Sequence, residues 1–306
     1  MDSGMEFTER KGPQHPISHA PGSRSRGFFG GQKALLTAAT CFSLTSLCVK
    51  FASRYYSGLF VSAFRFVIGI VLCGAIIIVR KPRLDRSAIP MVLLRGSLGA
   101  VSMAATYIAI SLTGPGRAIL LNNTYPVFVG ISGALFFKEK MSPKIIVSLA
   151  LCTIGAVFVV RDKSGASFLG DMAAIVGSVT AGVSINVIRK ASVAGVDPFI
   201  LYLSPCVLGL GLFAFATPPS SAGSPVNMLL LFCVGAGAFL AQTLMAYGYK
   251  TVPANKGSIS FYWEVALTVA LGAIFAGEKL NLLFLIGLCF ILIGLWVNRS
   301  PAPGRR

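Results

Sequence analysis

Ten acidic residues occur in the 306-residue chain, and nine fall in tails, loops or the ends of apolar runs. Glu264 alone lies near the centre of such a run, in Phe261-Tyr262-Trp263-Glu264-Val265. A bare charge in hydrocarbon costs several kcal/mol, so an ionisable group there needs a proton, a cation or a wet cavity. Two chemistries suit it: binding a cationic or amino group of a solute, or taking up a coupling proton. The plainer alternative is an ion pair with Arg65 that locks two helices together. Arg65, between Phe64 and Phe66, has a planar fork suited to a carboxylate, a backbone carbonyl or a solute anion. Arg95 lies nearer the end of its run, where its stem can snorkel to the headgroups.

Amides form a second tier. Asn122, Asn123, Asn186 and Gln242 sit inside apolar runs, and each amide needs partners in a dry bundle. They serve either as interhelical bonds, about 0.6 kcal/mol apiece, or as pocket lining. Tyr107 and Trp263, with Tyr125, Tyr247, Phe261 and Tyr262, lie at depths where an amphipathic pocket would form. The candidate solute-binding set is Glu264, Asn123, Trp263, Tyr107, Gln242, Asn186, Asn122 and Arg65.

Other chemistries lack their residues. Both histidines, His15 and His19, are in a polar N-terminal tail. The seven cysteines lie inside apolar runs without a Cys-x-x-Cys pair, which fits small packing residues better than disulfides or metal ligation. Aspartyl chemistry needs two adjacent carboxylates, and the runs offer one. No Gly-x-Ser-x-Gly elbow or phosphate-cradling Gly-Lys-Ser/Thr loop occurs. The expectation is a protein that is not an enzyme, with no catalytic residue, metal site or cofactor, driven by a gradient and not by ATP.

The elements that must position these side chains follow from composition. Hydrophobic residues make up 55% of the chain and charged residues 12%, about half the usual charge of a soluble domain. Apolar segments over 33–52, 57–79, 88–110, 116–137, 143–160, 168–189, 198–216, 227–248, 254–276 and 281–298 predict ten membrane helices. Pro126 and Pro205 lie inside segments and should kink them. Residues 1–32 are expected to be a disordered tail, and 299–306 a second tail. The net charge of +17 does not mark nucleic-acid binding, because the basic residues lie between the apolar runs. Alternate connections carry 19 and 6 Lys and Arg, which places both termini on the cytoplasmic side.

Shifting the chain by 139 residues lays Gly133-Ala134-Leu135-Phe136-Phe137-Lys138-Glu139-Lys140 on Gly272-Ala273-Ile274-Phe275-Ala276-Gly277-Glu278-Lys279, and Ile154-Gly155 on Ile293-Gly294. Each repeat, 33–160 and 161–298, then holds five helices, and an odd number turns the second upside down. Inverted repeats typify secondary transporters. With the paired Glu-Lys helix ends, the short Thr113–Ala118 and Thr251–Lys256 links and Arg65-Phe66 in the second helix, the chain resembles the EamA family of the drug/metabolite transporter superfamily across 33–298. That resemblance implies an all-α integral membrane fold and a secondary carrier of a small organic solute such as a metabolite, amino acid or drug. It also implies alternating access, with a coupling proton or counter-solute. The alternatives are a non-transporting scaffold or a channel. The expected partners are the solute and the bilayer, as a monomer or dimer, in a plasma or bacterial inner membrane.

Overall fold

The computed structural model describes residues 21–82, 84–137, 143–162, 167–213, 225–251 and 260–298. All regular structure among these is helical: α1 Pro21–Ala52, α2 Gly58–Arg80, α3 Ile89–Thr113, α4 Pro115–Asn122, α5 Tyr125–Phe137, α6 Pro143–Arg161, α7 Phe168–Val193, α8 Pro198–Phe213, α9 Pro225–Thr251, α10 Ser260–Phe275 and α11 Leu282–Asn298, with one 3₁₀ turn at Arg86–Ala88. Proline opens α1, α4, α6, α8 and α9, where its fixed φ suits the first turn and its missing N–H costs nothing. Ser57 caps α2 by accepting the Phe60 N–H at 3.2 Å.

Two sequence expectations change. Helix α1 begins at Pro21, not near Lys33, so part of the tail expected to be disordered is helical; a proline at N1 allows the apolar helix to extend backward. The fourth predicted helix is broken into α4 and α5 by a turn at Asn123–Thr124. Pro126 has no N–H for the Asn122 carbonyl, which weakens the ladder there. Thr124 then fixes the turn: its hydroxyl donates to the Leu121 carbonyl and lies 2.8 Å from the Ser178 hydroxyl on α7. Pro205, by contrast, is accommodated within a continuous α8.

Among the described residues, six stretches are long and apolar enough to cross a bilayer: Gly30–Ala52, Gly58–Arg80, Arg86–Thr113, Pro115–Leu135, Phe168–Ile188 and Pro225–Met245. Four shorter apolar helices accompany them, Ile146–Arg161, Pro198–Phe213, Trp263–Phe275 and Leu282–Gly294. Many large apolar side chains face outward, Ile78, Leu135, Ile274 and Trp296 among them, as a lipid-facing surface requires.

The packing interleaves the two ends of the chain. Helix α1 lies against α9 and α10, while α7 lies against α3, α4 and α5. Helix α2 contacts α8 and α9, α3 contacts α8, and α6 pairs with α11. Exchanging the front half for the back preserves this pattern. The α1–α9 contact maps onto α7–α3, and α2–α9 onto α8–α3. The α2–α8, α4–α10 and α6–α11 contacts map onto themselves.

Small residues let the backbones approach. A Cβ on Gly155 of α6 would sit 2.7 Å from the Gly287 carbonyl oxygen of α11, and one on Gly209 would sit 2.5 Å from the Phe66 ring. Gly155→Val should therefore push α6 off α11 and destabilise the fold by about 1–3 kcal/mol. A melting temperature equal to wild type would show that the pair is not close-packed.

Candidate functional site

Two polar assemblies occur in the bundle, and the sequence pointed to parts of each. The first lies at one end of the bundle, among helix termini. Gly114, with φ +102°, turns the chain sharply between α3 and α4. This exposes the first N–H groups of α4, which carry the positive end of its dipole. The Glu278 carboxylate, from the segment after α10, sits on that end and accepts the Gly116 N–H at 3.0 and 3.1 Å. Any Cβ at Gly114, Gly116 or Gly272 would strike this carboxylate. Burial pushes the Glu278 carboxyl up to about 7, against the opposing pull of the Gly116 N–H, Lys50 and Arg117.

Beside it, Arg117 of α4 makes a bidentate pair with Asp171 in the first turn of α7. Its Nε donates to Oδ1 and its Nη2 to Oδ2, both at 2.7 Å. Nη1 donates to the Asp162 carbonyl at 2.8 Å and lies 3.9 Å from that residue's carboxylate. Asn281 Nδ2 donates to the other Asp162 oxygen at 3.2 Å. Arg117, Asp162 and Asp171 are all buried. The network thus ties α4, α6, α7 and the α10–α11 connection together. A cavity of about 390 Å³ opens beside it, lined by Lys50, Thr113, Arg117, Asp162, Glu278 and Lys279 among others.

The second assembly lies within the bundle, between α2, α3 and α8. Arg65 is buried with its guanidinium carbon 5.1 Å from the centre of the Tyr107 ring, a cation–π contact. Arg95 is also buried and folds over Gly99 toward Pro205. Tyr202 and Cys206 of α8 pack against Gly69, one turn along α2 from Arg65. A smaller cavity of about 180 Å³ adjoins Tyr202, lined also by Arg80, Phe199, Gln242, Thr243 and Tyr247.

The other candidate residues disperse around these assemblies. Glu264 is buried on α10, where its backbone carbonyl accepts the Ser43 hydroxyl of α1 at 3.1 Å. No ion pair joins it to Arg65, whose neighbours are Tyr107, Tyr202 and Cys206. Trp263 is half exposed and its indole N–H donates to Thr40 at 3.1 Å. Asn186 acts as an interhelical bond, donating to the Val129 carbonyl and the Ser132 hydroxyl at 2.8 Å each. Asn123 donates to the Ile119 carbonyl and finishes α4, while Asn122 Oδ1 faces Gly177 and has no hydrogen-bond partner among the described residues. Of the eight, Arg65 and Tyr107 meet directly, and Gln242 joins them through Tyr202.

Comparison with known proteins agrees with this architecture. The model of the EamA-like transporter family matches residues 30–161 and again 168–300. An uncharacterized transporter of Archaeoglobus fulgidus is 25% identical over 279 residues, covering 86% of this chain and 96% of its own. The pseudopaline exporter CntI of Pseudomonas aeruginosa is 24% identical over 263 residues, covering 84% and 91%. Human solute carrier family 35 member G1 is 30% identical over 193 residues, covering 57% and 52%. A crystal structure at 18% identity superposes with a TM-score of 0.60 over 90% of this chain and 96% of that one, a likeness of fold. With the family pattern present twice along an all-helical membrane bundle, the chain belongs to the EamA-like transporter family.

Proposed function

We propose that this membrane transporter is a secondary carrier that moves a small organic solute by alternating access. On this reading it threads the bilayer ten times as two inverted halves, 33–160 and 161–298, with both termini in the cytoplasm of a cell whose plasma membrane houses it. The observation that carries the reading is the exchange-symmetric packing. Helices α1 and α7 each lie among the other half's helices, so the halves can rock about one shared centre. The Glu278 and Arg117 contacts would then hold the extracellular end shut.

Glu264, Asn122, Asn123, Tyr107, Trp263, Asn186, Gln242 and Arg65 remain the residues assigned to the solute path. Tyr107, Arg65 and Gln242 are favoured because they line the smaller cavity or belong to the arginine layer beside it. Glu264 and Glu278 are the two carboxylates assigned to a coupling proton. The names of the relatives favour a transported solute over a catalysed reaction.

Impermeant maleimide applied to intact cells tests the threading. In a cysteine-free background, Lys279→Cys should be labelled and Lys140→Cys should not. Equal labelling of the two would remove the inverted arrangement. Alternation is tested by Thr113→Cys at the Glu278 end and Gln242→Cys at the interior cavity. In a carrier, conditions that speed labelling at one position should slow it at the other, whereas rates that rise and fall together would mean a channel.

A further inference from the structure

We infer that α2, α3 and α8 form a binding site for an oxyanion, a carboxylate or phosphate group of the transported solute, centred on Arg65 and Arg95. Naming the occupant as the solute rests on the carrier reading; the site itself does not. Arg65 and Arg95 are more than nine-tenths buried, at 4% and 6% exposure, and each has a buried Nε without a hydrogen-bond partner. Among the described residues neither has a carboxylate within 4.0 Å, and both lie along one stretch of α8: Tyr202 and Cys206 pack at Gly69, one turn from Arg65, and Pro205 packs at Gly99 beside Arg95. The groups facing them from α2, α3 and α8 are Tyr107, Tyr202 and Cys206, all neutral.

Two like charges in a membrane interior, without a counter-ion, constitute a standing electrostatic deficit. One unpaired charge at mid-membrane already costs at least several kcal/mol. A cation–π contact from Tyr107 and the neighbouring Tyr202 phenol soften this at Arg65, but neither group carries a negative charge. The Tyr202 hydroxyl is likewise buried without a hydrogen-bond partner, so a third unsatisfied polar group belongs to the same layer. Guanidinium forks match carboxylate and phosphate oxygens in pairs. An oxyanion in this layer would offset the excess charge, a carboxylate about half of it and a phosphate dianion nearly all, and would offer acceptors to the unpaired Nε–H donors.

Access is built in. Tyr202 forms part of the wall of the 180 Å³ cavity, whose other polar lining is Arg80, Gln242, Thr243 and Tyr247. That volume is the share of roughly six water molecules, enough for an anionic headgroup. No acidic side chain among the described residues lines it, and Arg80 gives its rim a further positive charge. A cation would meet no carboxylate along this route among the described residues.

Thermal melting of the purified full chain in neutral maltoside detergent tests the site, with inorganic phosphate and citrate as soluble probes at low millimolar concentration. Saturating probe should raise the melting temperature by about 5 °C, and chloride should not. Arg95→Gln should melt higher than wild type without probe, because an uncompensated charge is gone, and should lose the probe-dependent rise; Arg65→Lys should keep part of it. Should the Arg95→Gln variant fail to fold, wild-type protein still decides. Citrate should slow alkylation of Cys206, which lies beside Arg65, at least threefold relative to chloride. A lower melting temperature for Arg95→Gln with the rise intact would overturn the site, as would an unprotected Cys206. Stabilisation by phosphatidylglycerol but by neither soluble probe would overturn the solute assignment and give the layer to a lipid headgroup. These readouts need no transport, so their failure is distinct from failure of the labelling pattern at positions 140 and 279.

Discussion

Thiol labelling of Thr113→Cys should accelerate about tenfold or more between pH 5.5 and pH 8, after correction for the reactivity of a free thiol, and Glu278→Gln should abolish that response. In the closed arrangement burial holds the Glu278 carboxyl near 7, whereas exposure to water returns it toward 4.5. The closed end therefore binds a proton more tightly than an open end. Its advantage is fully present below about pH 4.5 and is lost as pH rises through about 7, so alkaline conditions favour opening. Lys50, Arg117, Asp162 and Lys279 face the same cavity, and Lys50 and Arg117 work against the effect of burial. The neutral amide introduced by Glu278→Gln imitates the protonated acid, so this variant should stay closed and slow at every pH. Labelling that is equally fast at both pH values would dissociate Glu278 from closure.

Asp171→Asn should cost about 3–5 kcal/mol of stability, the largest single effect expected outside the apolar core. The substitution leaves the Arg117 guanidinium buried with half of its bidentate partner removed. Asp162 approaches no nearer than 3.9 Å through its carboxylate, and cannot take over the fork. The double replacement Arg117→Leu with Asp171→Leu should cost far less than the single change, since two apolar groups leave no orphaned charge. Chemical or thermal unfolding of the wild type and both variants measures this. If the double variant were as unstable as the single, the network would owe its strength to packing and not to charge pairing.

The helices were legible because a bilayer imposes a length and an apolar composition that loops cannot share. Arg65 and Glu264 stood out for the same reason: a charge inside an apolar run is conspicuous. Their partners were not legible. Glu278 appeared as a repeat marker, yet the N–H groups it meets belong to Gly116, 162 positions away. Asp171 and Asp162 read only as charges in loops or at segment ends, although both are buried around Arg117. Nothing local distinguishes a helix-end aspartate in water from one that reaches across to an arginine 54 positions distant. Pro126 signalled a distortion, but the chain gives way at Asn123–Thr124, where Ser178 of another helix anchors the turn. For Asn186 and Trp263 the residue type leaves open an interhelical bond or a pocket wall, and the structure shows each bonded to a neighbouring helix.

The interleaved packing also dictates how the molecule must be born. Helix α1 leaves the ribosome well before α9 and α10, whose surface it covers, about 200 residues downstream; at ordinary synthesis speeds that is a wait on the order of 10–40 s. Through that interval Ser43, Thr45 and Ser46, buried in the finished bundle, face lipid or an insertion chaperone. A nascent chain stalled before α9 would present that polar face to the quality-control machinery of its membrane.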